Sequence, residues 1–258
     1  MSGWSTLQRV AGTIKSEVRQ GGLTGLGHAT YDWLACRRHY SRFDACKFDI
    51  AAVPNFEIRM QLARKSYERY EREAVRRYVA PHVPVVELGG CLGIVACITD
   101  HLKAPSVHVV VEANPTVIPI IRTNRGLNHC KFEIVNAAIA YGVPEVTFTP
   151  SADLPSNSLR HHDGTGSVTV KATQLRDLLR DRGITRFALI CDIEGHECDL
   201  VEHEAETLKA AETIVLETHA RMVGEEKTAR MMNTLAALGF QTVDADATVV
   251  VLRQQTIH

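Results

Sequence analysis

The chain has 258 residues, 45% of them hydrophobic and 23% charged, with a formal net charge of −1. Those proportions exclude disordered, collagenous and low-complexity classes, and the near-neutral charge argues against generic nucleic-acid binding. No apolar run approaches the roughly 18 residues that a spanning helix needs, so no membrane span is expected. The first ten residues lack the apolar core of a secretory signal. Seven cysteines without paired spacing read as reduced thiols, which gives a cytoplasmic expectation. Charge is unevenly distributed: residues 1–80 hold 14 basic and 8 acidic side chains, and the remainder holds 15 and 22. The preferred reading is a solvated basic arm facing its own acidic body rather than an anionic partner.

Residues 1–80 read as a mainly helical N-terminal extension. Leu7, Val10, Ile14 and Val18 recur at helical spacing up to the Gly21-Gly22 break. A second helix is expected from about Gly27 to Tyr40. KFDIA and FEIRM, between Lys47 and Met60, suit short strands. Met60 to Val79 is rich in helix formers and stops before Pro81 and Pro84. The extension is expected to lid an acceptor crevice or to form a homodimer contact.

From residue 81 onward strands and helices alternate. VVELGG (Val85 to Gly90) leads into a helix over Ile94 to Lys103. VHVVVEA (Val107 to Ala113) precedes a helix over Thr116 to Leu127. FEIVNAAIA (Phe132 to Ala140) is the next strand. EVTFTP and SVTVKA form extra extended segments around a polar loop, Ser151 to Gly166. After a short helix over Leu175 to Arg182 come the strand FALICDIEG, a helix over Cys198 to Ala211 and the strand TIVLETH. A helix over Glu225 to Leu238 stops at Gly239. FQTVDA and ATVVVLR close the chain as a hairpin. Such alternation means an α/β fold with a parallel sheet and helices outside. The closing connection is too short for a parallel crossover, so the last strand runs antiparallel.

Ligands in such sheets bind outside the carboxyl ends of the strands. The first strand ends in ELGGCLG, whose Gly89, Gly90 and Gly93 permit a tight turn into a helix. The spacing is not G-x-G-x-x-G. Glu112 ends the second strand, where a carboxylate can accept bonds from both hydroxyls of a ribose. Glu87, beside the turn, would repel a pyrophosphate and attract an ammonium or sulfonium. That favours S-adenosyl-L-methionine over NAD.

CDIEGHE then gathers Asp192, Glu194, His196 and Glu197, and LETH adds Glu217 and His219 at a neighbouring strand end. Buried carboxylates at this density need partners. A hydroxyl acceptor needs its proton removed. His219 is the expected base, because a free imidazole titrates near neutrality, with Asp192 or Glu194 orienting it or taking the proton. The alternative is Mg2+ held by Asp192, Glu194 and Glu217. His196 and Glu197 read equally well as helix-start residues.

ELGGCLG, VVVEANP, NRGLN, VNAAIA, CDIEGHE and LETH, in that order, resemble the FkbM-type S-adenosylmethionine-dependent methyltransferases over roughly Tyr67 to His219. The resemblance implies a Rossmann-like methyltransferase fold over residues 81–258: a mostly parallel seven-stranded sheet with an antiparallel last strand. It implies that Gly89 and Gly93 shape the methionine pocket, that Glu87, Gly90 and Cys91 also belong to the cofactor site, and that Glu112 holds the ribose. Asn114 and Pro115 would shape the loop beside the adenine, with Ala113 also in the cofactor site; Asn136, Ala137 and Ala138 would line the adenine edge, and Asp192 would reach the cofactor from the later strand. Tyr67 and Glu68 match an element preceding the first strand. Glu87 stands for the usual Asp, Gly90 for Ala and Cys91 for Asn, so one amide contact of the family is missing. The implied activity is O-methylation of a sugar, polyketide or other natural-product alcohol. The alternatives are an NAD-type oxidoreductase and a catalytically silent nucleotide-binding scaffold.

Overall fold

A computed structural model describes residues 38–150 and 166–255. The helix expected up to Gly21-Gly22, most of the helix expected from about Gly27 to Tyr40, and most of the polar loop at 151–165 lie outside the described residues; at the described end of the second, Tyr40 already begins a strand. Two compact units divide between Arg69 and Tyr70. The composition change places the boundary later, at 80–81. The reason for the difference is the helix between these points. Ala74, Val75 and Val79 belong to the same apolar cluster as Val85, Val215 and Val251 of the sheet.

In the first unit, β1 (Tyr40–Phe43) and β2 (Cys46–Asp49) form an antiparallel hairpin. Its Phe43 and Phe48 rings lie 4.8 Å apart. The FEIRM segment is not a strand but the start of α1 (Phe56–Arg64), because Asn55 caps it by accepting the Ile58 N–H.

All of α2 (Arg69–Tyr78) but its first residue belongs to the second unit. β3 (Val85–Leu88), β4 (His108–Glu112) and β9 (Phe187–Cys191) are buried along their whole length. That is why their sequences show apolar runs rather than alternation. With β5 (Glu133–Asn136), β10 (Ala211–Glu217), β11 (Phe240–Asp246) and β12 (Val249–Gln254) they make a seven-stranded sheet ordered β11-β12-β10-β9-β3-β4-β5. β3 pairs in parallel with both β4 and β9, and β12 is antiparallel to both of its neighbours. The strand order therefore reverses at β3, and the crevice for a ligand lies beyond the ends of β3, β4, β9 and β10.

Helices cover both faces. α5 (Leu175–Arg180), α6 (Glu197–Leu208) and α8 (Glu225–Ala237) contribute Leu178, Leu200 and Leu235 to the core around Val86, Val109 and Leu189. On the opposite face, Val95 of α3 (Ile94–Lys103) packs with the α2 residues. α4 (Ile118–Leu127) follows β4, and the short α7 (Ala220–Val223) follows β10. The FEIVNAAIA segment breaks at Ala137. β5 stays in the main sheet, whereas β6 (Ala138–Ile139) joins β7 (Glu145–Phe148) and β8 (Val168–Thr173) in a small separate sheet. No helix among the described residues is long and apolar enough to cross a membrane.

Candidate active site

The turn after β3 is pressed against the end of β9. A Cβ on Gly89, whose φ is +91°, would lie 1.7 Å from the Asp192 carbonyl oxygen. Only a residue without a side chain fits there. A Cβ on Gly90 would lie 2.6 Å from Val110 Cγ1. Gly93 has a φ of +71° and opens α3. The Asn124 side chain donates to the Leu92 carbonyl at 2.9 Å, which ties α4 to the turn.

Glu112 stands at the carboxyl end of β4. Its Oε2 accepts the Cys91 N–H at 2.8 Å and its Oε1 accepts the Asn114 N–H at 2.6 Å. The backbone of residue 91 makes this bond whatever its side chain, so replacing the usual Asn by Cys leaves it in place. Burial raises the Glu112 pKa to about 7, against the opposing pull of these N–H donors. Asn136 donates to the carbonyls of Glu112 and Ala113 at 2.8 and 3.1 Å, stapling the ends of β4 and β5. Asn114 is fully buried and accepts from Thr116. Ala137 and Ala138 are buried in two apolar clusters. The turn, Glu112 and Asn136 thus form one hydrogen-bonded rim.

Glu87 belongs to a different group. Its carboxylate lies 3.8 Å from His108 Nε2, whose other ring nitrogen is 3.4 Å from Asp100. Burial raises the Glu87 pKa, and His108 opposes the rise. Cys191 packs into the apolar core, and its thiol is pushed well up by burial. Tyr67 and Glu68 fall in the first unit.

The second half of the rim is acidic and centres on His219. Its Nε2 lies 3.6 Å from Asp192 and 3.5 Å from Glu194, and its Nδ1 lies 3.0 Å from Glu197 Oε1. The last contact is off the line of the ring N–H and is an ion pair rather than a formed hydrogen bond. Burial opposes charging the ring. The three carboxylates outweigh it and lift the His219 pKa to about 9. At that value the ring holds its proton at neutral pH, unlike the free imidazole expected as the base. Burial and neighbouring carboxylates raise Asp192 well above its ordinary range and bring Glu194 to about 7. Glu194 holds a left-handed φ of +53°.

Two further acids belong to this site: Glu197, which the sequence reads equally well as a helix-start residue, and Glu71, which no sequence pattern marks. Glu197 is 1% exposed and its Oε1 accepts the N–H groups of Ile193 and Gly195. Glu71, from α2, reaches Glu217 at the end of β10. Burial first, and then Glu217, raise its pKa to about 7. Glu217 also accepts from the Thr248 hydroxyl at 2.8 Å. His196 turns aside and lies 3.5 Å from Asp199.

Asp192, Glu197 and His219 bring ligand-type atoms within 4.8 Å of one another. These are not the Asp192, Glu194 and Glu217 expected for Mg2+. Both ring nitrogens face carboxylates and Glu197 Oε1 already holds two N–H groups, an arrangement for an imidazolium. It does not fit Mg2+, which favours oxygen donors with retained waters. The chemistry fits S-adenosylmethionine better. A carboxylate at the end of β4 suits a diol. Asp192 Oδ1 is buried without a hydrogen-bond partner and faces His219 Nε2 at 3.6 Å.

Residues 89–242 match the Methyltransferase FkbM domain, more than half of the chain. No curated protein matches. Among solved structures, a protein of the NADB-Rossmann superfamily from Streptococcus agalactiae is 13% identical with a TM-score of 0.45, covering 73% of this chain and 69% of that one. A putative SAM-dependent methyltransferase from Streptococcus mutans is 9% identical with a TM-score of 0.46, covering 72% of this chain and 48% of that one. This chain thus spans about half the length of the S. mutans protein. TYW2 from M. jannaschii, in complex with AdoMet, is 14% identical with a TM-score of 0.42, covering 83% and 82%.

Proposed function

The chain belongs to the FkbM methyltransferase domain family, and we propose that it transfers a methyl group from S-adenosylmethionine to a hydroxyl of a small-molecule acceptor. A sugar, a polyketide or another natural-product alcohol is the acceptor class, and the cytoplasm is the compartment. The observation that carries this reading is the pairing of the Glu112-centred rim with the acidic rim around His219 across the end of β3. The rims touch where the Gly89 backbone meets the Asp192 carbonyl.

In this reading Glu112 binds the ribose, and Gly89, Gly90, Cys91 and Gly93 give the cofactor its turn. The cofactor supplies a methyl group that needs no further activation. The chain's task is to position the hydroxyl and accept its proton. His219 already holds a proton, so the acceptor of the second is a carboxylate. Glu194, titrating at about 7, is the residue poised for it. The His219 imidazolium lies between Glu194 and Asp192, orients both and offsets their charge.

Transfer of labelled methyl to a panel of alcohols and amines, followed across pH, tests this. Turnover on alcohols should rise through about 7 as Glu194 ionises and fall through about 9 as His219 loses its proton. A rate that climbs through about 9 would make neutral His219 the base. Transfer confined to amines would remove the hydroxyl from the proposal.

A further inference from the structure

We propose that Glu197 is the positioning residue of this site: through one carboxylate oxygen it fixes both the Asp192–Gly195 turn and the His219 ring. The proposal rests on the methyltransferase reading only for what the fixed ring then does. Three contacts converge on Oε1: the Ile193 N–H at 3.0 Å, the Gly195 N–H at 3.2 Å and His219 Nδ1 at 3.0 Å.

Glu197 occupies the first turn of α6, where an acidic residue ordinarily serves the helix dipole or a cap. Its acceptor bonds run the other way, to N–H groups that precede the helix. Its side chain is 1% exposed. A carboxylate so buried is costly unless compensated, and two backbone donors and a cationic ring supply the compensation. The turn it holds is unusual. Glu194 and Gly195 adopt φ of +53° and +97°, and a Cβ on Gly195 would come within 3.2 Å of Val223. The His196 N–H closes the turn on the Ile193 carbonyl at 3.3 Å, and the Glu197 carboxylate adds two further bonds to it.

With Nδ1 facing Glu197, the ring has one free edge. That edge directs Nε2 between Asp192 and Glu194. Glu217, two residues earlier on β10, and Glu71 from α2 complete the acidic surround. Glu197 therefore sets which carboxylates the imidazolium serves, without itself reaching the reacting atoms.

The test is a proton NMR titration of His219 in the free full-length protein, assigned with His219→Asn, for wild type and Glu197→Gln. It needs neither cofactor nor turnover. Failure of the methyltransferase reading would therefore leave it interpretable. Glutamine keeps an acceptor oxygen for the turn and removes the charge. The His219 titration should fall by about one to three pH units, the effect of removing an opposite charge at this range. In wild type, the Ile193 and Gly195 amides should exchange slowly. In turnover, Glu197→Gln should lower kcat while KM for the cofactor stays within about twofold, because Glu112 is untouched. An unmoved His219 titration in a folded Glu197→Gln protein overturns the proposal. If that variant does not fold, rapid exchange of both amides in wild type overturns it instead.

Discussion

Glu112→Gln separates what the protein loses in stability from what it gains in binding. The carboxyl titrates at about 7 when folded, against an ordinary value of 4.5. At about 1.4 kcal/mol per pH unit, that difference carries about 3 kcal/mol of pH-dependent stability. Below about 4.5 the group is protonated in both states and its contribution is full. As pH rises toward 7 the unfolded chain ionises first, and the contribution is lost until the folded carboxyl ionises in turn. Glutamine does not titrate. It accepts only one of the two N–H groups from Cys91 and Asn114, at a pH-independent cost of about 1–3 kcal/mol. Urea melts of both proteins at about pH 4.5 and 8 isolate the pH-dependent part. Wild type should lose about 3 kcal/mol relative to Glu112→Gln over that interval. Parallel pH dependences would refute the reasoning, since they would mean that Glu112 is not buried as a strained acid.

Gly89→Ala should destabilise the protein by more than about 2 kcal/mol in chemical denaturation, because its Cβ meets the Asp192 carbonyl at 1.7 Å. A variant as stable as wild type would deny that contact. Glu194→Gln should lower kcat by about 10²–10⁴, the weight of general base catalysis, and His219→Asn should abolish the alkaline limb near 9; a surviving limb would assign that titration elsewhere. EDTA should leave wild-type turnover unchanged, because the donors around Asp192 suit an imidazolium. Loss of activity with EDTA that Mg2+ restores would contradict that assignment.

The sheet was legible because strands buried on both faces leave continuous apolar runs, as in Val85–Leu88 and Phe187–Cys191. The antiparallel last strand followed from the short connection between Asp246 and Val249. FEIRM misled because its short apolar pattern is ambiguous, and Asn55 three residues before Ile58 was the available helix signal. Gly89, Glu112, Asp192 and His219 were recognisable from residue type at strand ends. The direction of Glu87 was not, since a strand position gives a face and not a partner. Glu71 lay beyond sequence reasoning, because α2 reaches the end of β10 only through the packing of Ala74 and Val75 against the sheet. Glu197 had a readable signal in its place within CDIEGHE, but capping explained it equally well. The proton affinity of His219 depended on three carboxylates arriving together, and no spacing rule reports that.

Calorimetric titration of S-adenosylmethionine, S-adenosylhomocysteine and NAD into wild type and Glu112→Ala tests the central claim most directly. The account predicts that both adenosyl compounds bind wild type. Glu112→Ala should weaken that binding by about 1.5–3 kcal/mol, the worth of hydrogen bonds to a charged group, and NAD should not compete. Tight NAD binding, or adenosyl binding indifferent to Glu112→Ala, would contradict it.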